Sequence, residues 1–506
     1  MKKYFLISGL FVALLTSCKD DVLNIDPRDK YVEDRFFQSK EQAEAAVNGI
    51  YTALRHTGVY GGVAPLYTRE TWSPNAYAYN GEQNLVIQGN HDANTGLFNN
   101  AWNGVYLGIG RANNLLARID PIPMDDNLKK RFKAEAKFLR AVFYMPLWNY
   151  FGGAPLILAT PDYTTQSNLP RNTPSELLVQ ILKDLDEAIT DLPVSYSGTD
   201  KGRATKGAAL AFKARVLLYA GRYAEAAVAA KAVIDSKIYS LFPDYRGLFY
   251  LENEGNVEVI FDIQYKYPES GHDMDISLDQ FNTVAPTPDL VNDYYMKDDG
   301  LPISISTLYK PAQPYSGRDP RLAATVILPG STYKGKPVTA TQYPRTGYGQ
   351  KKYSIYKDTE VPVQTLAAGL SELNYILLRY ADILLMYAEA QNEIVGPDPS
   401  VYDAIKQVRG RTSVQMPVLP ANLSQAKMRE EIRHERRIEL AGEGLYYDDI
   451  RRWKTAGQVL NVDAVNIKGE RIDTRRFDVN RDYLWPVPSI AIQENPALTQ
   501  NPKYGK

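Results

Sequence analysis

The chain has 506 residues, 44% of them hydrophobic, with 58 Lys and Arg against 59 Asp and Glu. That is enough apolar material for one large core or two adjoining ones, and the near-zero charge without a basic stripe argues against a nucleic-acid partner. A single cysteine excludes a disulfide framework, so stability must come from packing.

At the N-terminus, Lys2 and Lys3 precede an apolar run over residues 4–15 that leads into Leu15-Thr16-Ser17-Cys18. A basic start, a short hydrophobic stretch and small residues before a cleavage point predict a signal peptide over residues 1–17, too short to span a bilayer. No later stretch approaches the roughly 18 to 20 continuous apolar residues of a spanning helix. The Leu-Thr-Ser-Cys run resembles a lipobox, which makes Cys18 the expected lipidation site and first residue of the mature chain. Each buried methylene of its acyl chains adds about 0.8 kcal/mol to the anchor. The alternative is an ordinary secretory signal with a coincidental cysteine. Lys19-Asp20-Asp21 resembles the acidic signal that sends Bacteroidetes lipoproteins to the cell exterior, and residues 18–35 read as a tether. Without residues 1–17 the balance becomes 56 basic against 59 acidic residues.

Further along, residues 41–55 and 134–151 read as helices, the second ended by Gly152-Gly153. Residues 205–219 (TKGAALAFKARVLLY) are apolar on most sides, with Leu210, Ala214 and Leu217 at i, i+4 and i+7, the pattern of a buried helix. Gly221 stops it. A second helix follows with Tyr223, Ala226, Ala227, Ala230, Val233 and Ile234 on one face, and small residues there allow close antiparallel packing. The pair resembles a tetratricopeptide unit. Residues 257–265 alternate as a short strand. Residues 375–391 (YILLRYADILLMYAEAQ) predict another helix, followed after Gly396-Pro397 by a partner over 401–411. One such pair cannot bury its own apolar face, so several imply a stacked scaffold. The expected fold is mainly α, a single domain over 36–506. Helix pairs cover 36–55, 101–240 and 371–460, and loop-rich excursions with a few short strands cover about 56–100 and 240–370. The excursions are rich in Gly, Pro, Asn and Tyr, and loops of that length are usually functional.

Seven blocks in order carry a family resemblance: AEAKFLRAVFYMPLWNYFGGAPL at 134–156, RATKGAALAFKARVLLYAGRY at 203–223, TPDLVNDYYMKDDGLPI at 287–303, GRDPRL at 317–322, YILLRYADILLMYAEA at 375–390, IRHERRIELAGEGLYYDDIRRWK at 432–454 and YLWPVPSIAIQENPALTQNPKY at 483–504. Together they resemble the SusD/RagB family of outer-membrane nutrient-uptake lipoproteins across essentially the whole mature chain. The resemblance implies a helical SusD-like fold with tetratricopeptide-like repeats and no catalytic activity. It also implies a SusC-like TonB-dependent β-barrel transporter as partner, with this chain lying over it as a lid at the cell surface.

Other constellations were weighed. His434-Glu435-Arg436-Arg437-Ile438 has an isoleucine where a helical zinc motif needs its second histidine, so the helix reads as scaffold, with Glu430–Arg433 and Arg436–Glu439 spaced to pair along it. Gly108-Ile109-Gly110-Arg111-Ala112-Asn113 lacks the third glycine and the preceding strand of a dinucleotide loop. Asp273, Asp275 and Asp279 raise the question of a hydrolytic carboxylate pair, though acidic loop residues are more often solvated. No motif calls for a metal or cofactor.

The aromatic loop Trp72-Ser73-Pro74-Asn75-Ala76-Tyr77-Ala78-Tyr79-Asn80 mixes flat rings with amides, which suits a sugar: its C–H face packs on a ring and its hydroxyls need donors and acceptors. Trp72, Asn75, Tyr77, Tyr79 and Asn80 are therefore candidate ligand contacts. The structural alternative is that these rings close a small satellite core. The family resemblance adds His91, Phe281 and Tyr315, and a histidine at 91 leaves starch-like specificity open. The leading expectation is capture of an oligosaccharide or polysaccharide. Peptide capture by a relative of the same family, a surface glycoside hydrolase and a purely structural scaffold are the alternatives.

Overall fold

The computed structural model describes residues 37–62, 66–78 and 81–505, and the side chains of all of these except 66 and 67. The signal peptide, Cys18, the tether, Tyr79 and Asn80 lie outside the described residues.

Among the described residues, nine helices form the scaffold: α1 (Lys40–Ala53), α2 (Gly96–Arg118), α3 (Asp126–Asn149), α4 (Pro174–Asp191), α5 (Lys206–Tyr219), α6 (Tyr223–Asp235), α7 (Tyr380–Val395), α8 (Pro399–Arg409) and α9 (Gln425–Leu440). Their starts are local chemistry. Ser39, Asp125, Thr173, Thr205, Asp398 and Ser424 each accept a hydrogen bond from a backbone N–H of the first turn, and Ser39 with Gln42 and Thr173 with Glu176 close reciprocal capping boxes. Asp125 thus starts α3 eight residues before the 134–151 window read from the apolar pattern.

Each helix packs on the next, from α1 on α2 through α5 on α6, and α7 then takes α6 on one side and α8 and α9 on another. The stack is therefore continuous although residues 236–379 intervene between α6 and α7. Gly108 explains the glycines within α2: a Cβ there would lie 2.3 Å from the Phe143 ring of α3, so a bare backbone is required where the two helices touch.

Two expectations are corrected. Residues 375–379 do not begin a helix; they form a strand, β2 (Tyr375–Arg379), antiparallel to β1 (Val259–Ile263), and Arg379 then stands in extended conformation as the N-cap of α7. Apolar residues buried on every side look alike as strand or helix, and here the partner β1 decides. The expected i, i+3 pairs on α9 also fail to form. Glu430 meets Lys427, Arg433 lies over the Trp453 ring, and Arg436 and Glu439 turn inward to different partners.

The excursion over 240–370 builds its own cores. One joins Leu290, Val291, Tyr294, Leu322, Val326 and Tyr348 to Ile438 and Ala441; another gathers Ile327, Tyr333, Val338, Tyr343 and Tyr356. Much of the tyrosine surplus in this stretch is thus spent inside.

Buried charge joins scaffold to excursion. Glu439 of α9, fully buried, accepts from Arg379 (2.8 Å), Arg411 (2.7 Å) and Arg321 (3.0 Å). Around it, Glu258, Glu435, Glu443 and Asp319 complete five carboxylates facing five cations, the others being Arg409 and Lys352. One turn away, Arg436, Arg215 and Arg452 face Asp382, Asp449 and Glu389. Burial works against ionisation of Glu439, but the three guanidiniums overcome it and hold its carboxyl well below the usual range. Removing one member of such a set leaves an uncompensated buried charge. We therefore expect Glu439→Ala to lower the unfolding free energy in urea by roughly 3–5 kcal/mol, while Glu430→Ala on the exposed face of the same helix leaves it within error. Equal effects would refute the network's role.

Candidate ligand-binding site

The loop that follows the π-helical turn Leu66–Glu70 is fixed from three directions. Glu70, 1% exposed, accepts from the N–H groups of Gly442 (2.9 Å) and Gly444 (2.8 Å) and from Asn75 Nδ2 (2.9 Å). Burial nonetheless pushes its carboxyl above the ordinary range, against the pull of those donors. Arg437 of α9 donates to Asn75 Oδ1 (2.9 Å) and pairs with Asp289 and Asp293. Arg475 reaches in from the C-terminal segment and donates to the carbonyls of Thr71 (3.3 Å), Ser73 (2.9 Å) and Ala76 (2.7 Å). Among the described residues no carboxylate is in hydrogen-bond contact with it, and burial lowers its guanidinium to about 10.

This frame decides the fate of the candidate contacts. Trp72 is not a platform: at 3% exposed it sits among Phe98, Tyr447 and Trp485, with edge-on centroid separations of 5.5 Å to the last two. Asn75 is fully buried and its amide is used by Glu70 and Arg437. His91 is 5% exposed; its Nε2 lies 3.0 Å from Tyr504 Oη and 3.4 Å from Asp482, which ties the loop to the C-terminal segment. For Trp72, Asn75 and His91, then, burial and hydrogen bonding claim the same groups that a sugar would use, and Trp72 joins the main core of the scaffold, not a small satellite one.

The remaining candidates converge. Ala76 and Tyr77 pair antiparallel with Pro286 and Ala285, so the two excursions meet at one short ladder. Tyr77 is itself buried, 7% exposed and part of the main core, with its hydroxyl donating to Asp473 (3.1 Å), which Gln88 also contacts at 2.9 Å. Burial, reinforced by Asp473, raises this phenol to about 12, so it stays protonated and a donor. Four residues before Ala285, Phe281 stands 47% exposed. Beside it Asn282, held at φ +46°, donates through Nδ2 to the Tyr348 carbonyl (3.1 Å). Tyr348 in turn meets Tyr315, edge to face at 6.2 Å, with the two hydroxyls 3.2 Å apart. Phe281, Tyr315 and Tyr348 are thus linked through one asparagine, next to the ladder that carries Tyr77.

Sequence reading missed Tyr348, Asp473, Gln88 and Arg475. Only Tyr348 had a signal, the run of tyrosines over 343–356; Gln88 lies unmarked in the same excursion as Tyr77, and Asp473 and Arg475 arrive from the distant C-terminal segment.

The polar constellations resolve as structure. His434 Nε2 donates to the Asp293 backbone carbonyl at 2.8 Å, and the ring stacks on Tyr295 at 3.8 Å. Asp273 accepts from the Gly369 N–H (2.6 Å) and Asp279 pairs with Lys334 (2.7 Å). Asp275 is buried between them, which raises it to about 6. Among the described residues, no group of three or more His, Cys, Asp or Glu is placed to hold a metal ion, and no helix is long and apolar enough to cross a membrane.

Arg475 as the pin of the loop generates a prediction. Arg475→Ala should raise amide hydrogen exchange over residues 71–78 at least roughly tenfold while α3 and α7 keep their protection; unchanged exchange in the loop would show that the packing of Trp72 suffices.

Two family models match the chain, one described as the SusD family over residues 251–504 and one as starch-binding associating with outer membrane over residues 27–218. SusD-like protein P2 of Formosa agariphila is 27% identical, the alignment covering 100% of both chains. The crystal structure of a SusD-like carbohydrate binding protein from Bacteroides fragilis superposes with a TM-score of 0.83 at 28% identity, covering 92% of this chain and 100% of that one. A laminarin binding SusD-like protein superposes with a TM-score of 0.70 at 25% identity, over 92% and 100% respectively. With half of its length matched by the first model and its whole fold shared with these structures, the chain belongs to the SusD family.

Proposed function

We propose that this protein captures an oligosaccharide or polysaccharide at the outer-membrane surface without chemically altering it, and delivers it to a SusC-like TonB-dependent transporter. In this reading acyl chains on Cys18 hold it at the membrane. The observation that carries the capture step is the half-exposed ring of Phe281, on a backbone that the neighbouring Asn282 ties to the Tyr348 carbonyl. A half-exposed ring on a pinned backbone offers a flat apolar face, and neighbouring phenols and amides offer the hydrogen bonds that hydroxyls require. That relatives of this fold are named for binding carbohydrate, and one of them laminarin, supports the ligand class.

A rigid site loses little freedom on binding, so a few contacts of roughly 1 kcal/mol each yield modest affinity. Affinity gel electrophoresis against laminarin, starch and xyloglucan should show retardation by at least one of them. Phe281→Ala should weaken that retention roughly tenfold with little change in melting temperature, whereas Trp72→Ala should lower the melting temperature by several degrees. Retention unaffected by Phe281→Ala would remove the site, and products appearing on incubation with the retained polysaccharide would remove the non-catalytic reading.

A further inference from the structure

A second concave region lies apart from the ring cluster, between the C-terminal end of α1, the loop at 199–203 and the far end of β1. Its central hollow is about 300 Å³; a neighbour of about 500 Å³ shares Gly202, Arg203, Asp262 and Gln264 with it, and another of about 510 Å³ shares Arg55. Each is of the size that holds small ligands. Gly202 is required on the lining: at φ +93° its missing side chain leaves room for the Gln264 amide, whose nitrogen would lie 1.7 Å from a Cβ.

The charges around the central hollow are unequal in their commitments. Arg203 is answered by Asp200 (2.7 Å), Glu44 (3.2 Å) and Glu135 (3.2 Å). Arg55 has only the Thr52 hydroxyl at 3.3 Å, and neither Arg55 nor Lys201 has a carboxylate partner among the described residues. Asp262, 6% exposed on the floor, is engaged by Asn374 at 3.0 Å. Two uncommitted cations thus border one hollow whose remaining wall combines the partly exposed Tyr51 ring with the amide of Gln264. Phosphate alone would leave that ring and amide unused, and a neutral sugar would leave the cations unused.

We propose that this trough is a second binding site, for an acidic sugar residue whose carboxylate or sulfate sits between Arg55 and Lys201. It rests on the saccharide reading for its ligand class but not on the ring cluster. A guanidinium and an ammonium facing one anion give charge-assisted hydrogen bonds in a partly screened hollow, and ring and amide take the sugar's apolar face and hydroxyls.

Calorimetric titration of the mature chain with trigalacturonate, a sulfated galactose trisaccharide and laminaritriose, each at about 25 and about 250 mM salt, tests this. The expected result is binding of at least one acidic trisaccharide that weakens severalfold at the higher salt. The double variant Arg55→Ala, Lys201→Ala should lower that affinity at least tenfold, Arg55→Lys should keep most of it, and Phe281→Ala should leave it unchanged. Lys201→Ala alone, on an exposed loop, serves if the double variant melts early. Failure of both acidic sugars to bind, salt-independent binding, or a double variant that binds like the parent would overturn the proposal. Loss through Phe281→Ala instead would assign acidic sugars to the ring cluster. Failure of the ring-cluster reading leaves these outcomes legible, since the variants do not overlap.

Discussion

Glu439 is the point on which the molecule turns. It is one carboxylate that cannot remain ionised in a dry interior unless Arg379, Arg411 and Arg321 all arrive, and these come from a strand end, the segment after α8 and the middle excursion. Coulomb energy in low dielectric is large but is matched by the cost of removing water from every partner, so the network adds little net stability when complete. Its effect is discrimination: any arrangement that misplaces one segment strands a charge. The helical stack would tolerate several registers of the loops above it, and the ion network permits one.

The same logic extends to the ligand surface. Glu70, Arg437 and Arg475 fasten the loop over 71–78 by backbone atoms and one amide, so its shape does not depend on which rings happen to point outward. Phe281 can then stand in solvent without the loop collapsing over it. A surface built this way separates the residues that hold the backbone from those, such as Phe281, left exposed on it, and the second set can change while the first stays.

What could be read from the chain follows from distance along it. The start of α5 at Thr205 was legible because a threonine side chain bonds to an N–H three residues on, and the α5–α6 pair because small residues recur at helical spacing, whereas the start of α3 at Asp125 lies ahead of the apolar pattern that marked the helix. Tyr375-Ile376-Leu377-Leu378-Arg379 was misread because a strand buried on both faces has no alternation, and its partner β1 lies more than a hundred residues back. At the candidate site, ring-plus-amide composition marks the 72–80 loop without telling buried from exposed side chains: Trp72 and Asn75 are buried by packing from Trp485 and by Arg437, whereas Phe281 stands half exposed. The acidic and basic residues of α9 suggested pairing along the helix, since their real partners are far away in sequence.

The contact between α6 and α7 spans residues 236–379. In the unfolded chain, the entropy lost on bringing such distant ends together grows only with the logarithm of the intervening length, about 0.6 kcal/mol for each doubling. Insertions or deletions between these two helices therefore alter the closing step very little, provided the inserted piece folds on itself and still presents an arginine to Glu439. The frame is in this respect a socket of fixed dimensions whose plug can be exchanged, and diversification in what is recognised need not be accompanied by redesign of what supports it.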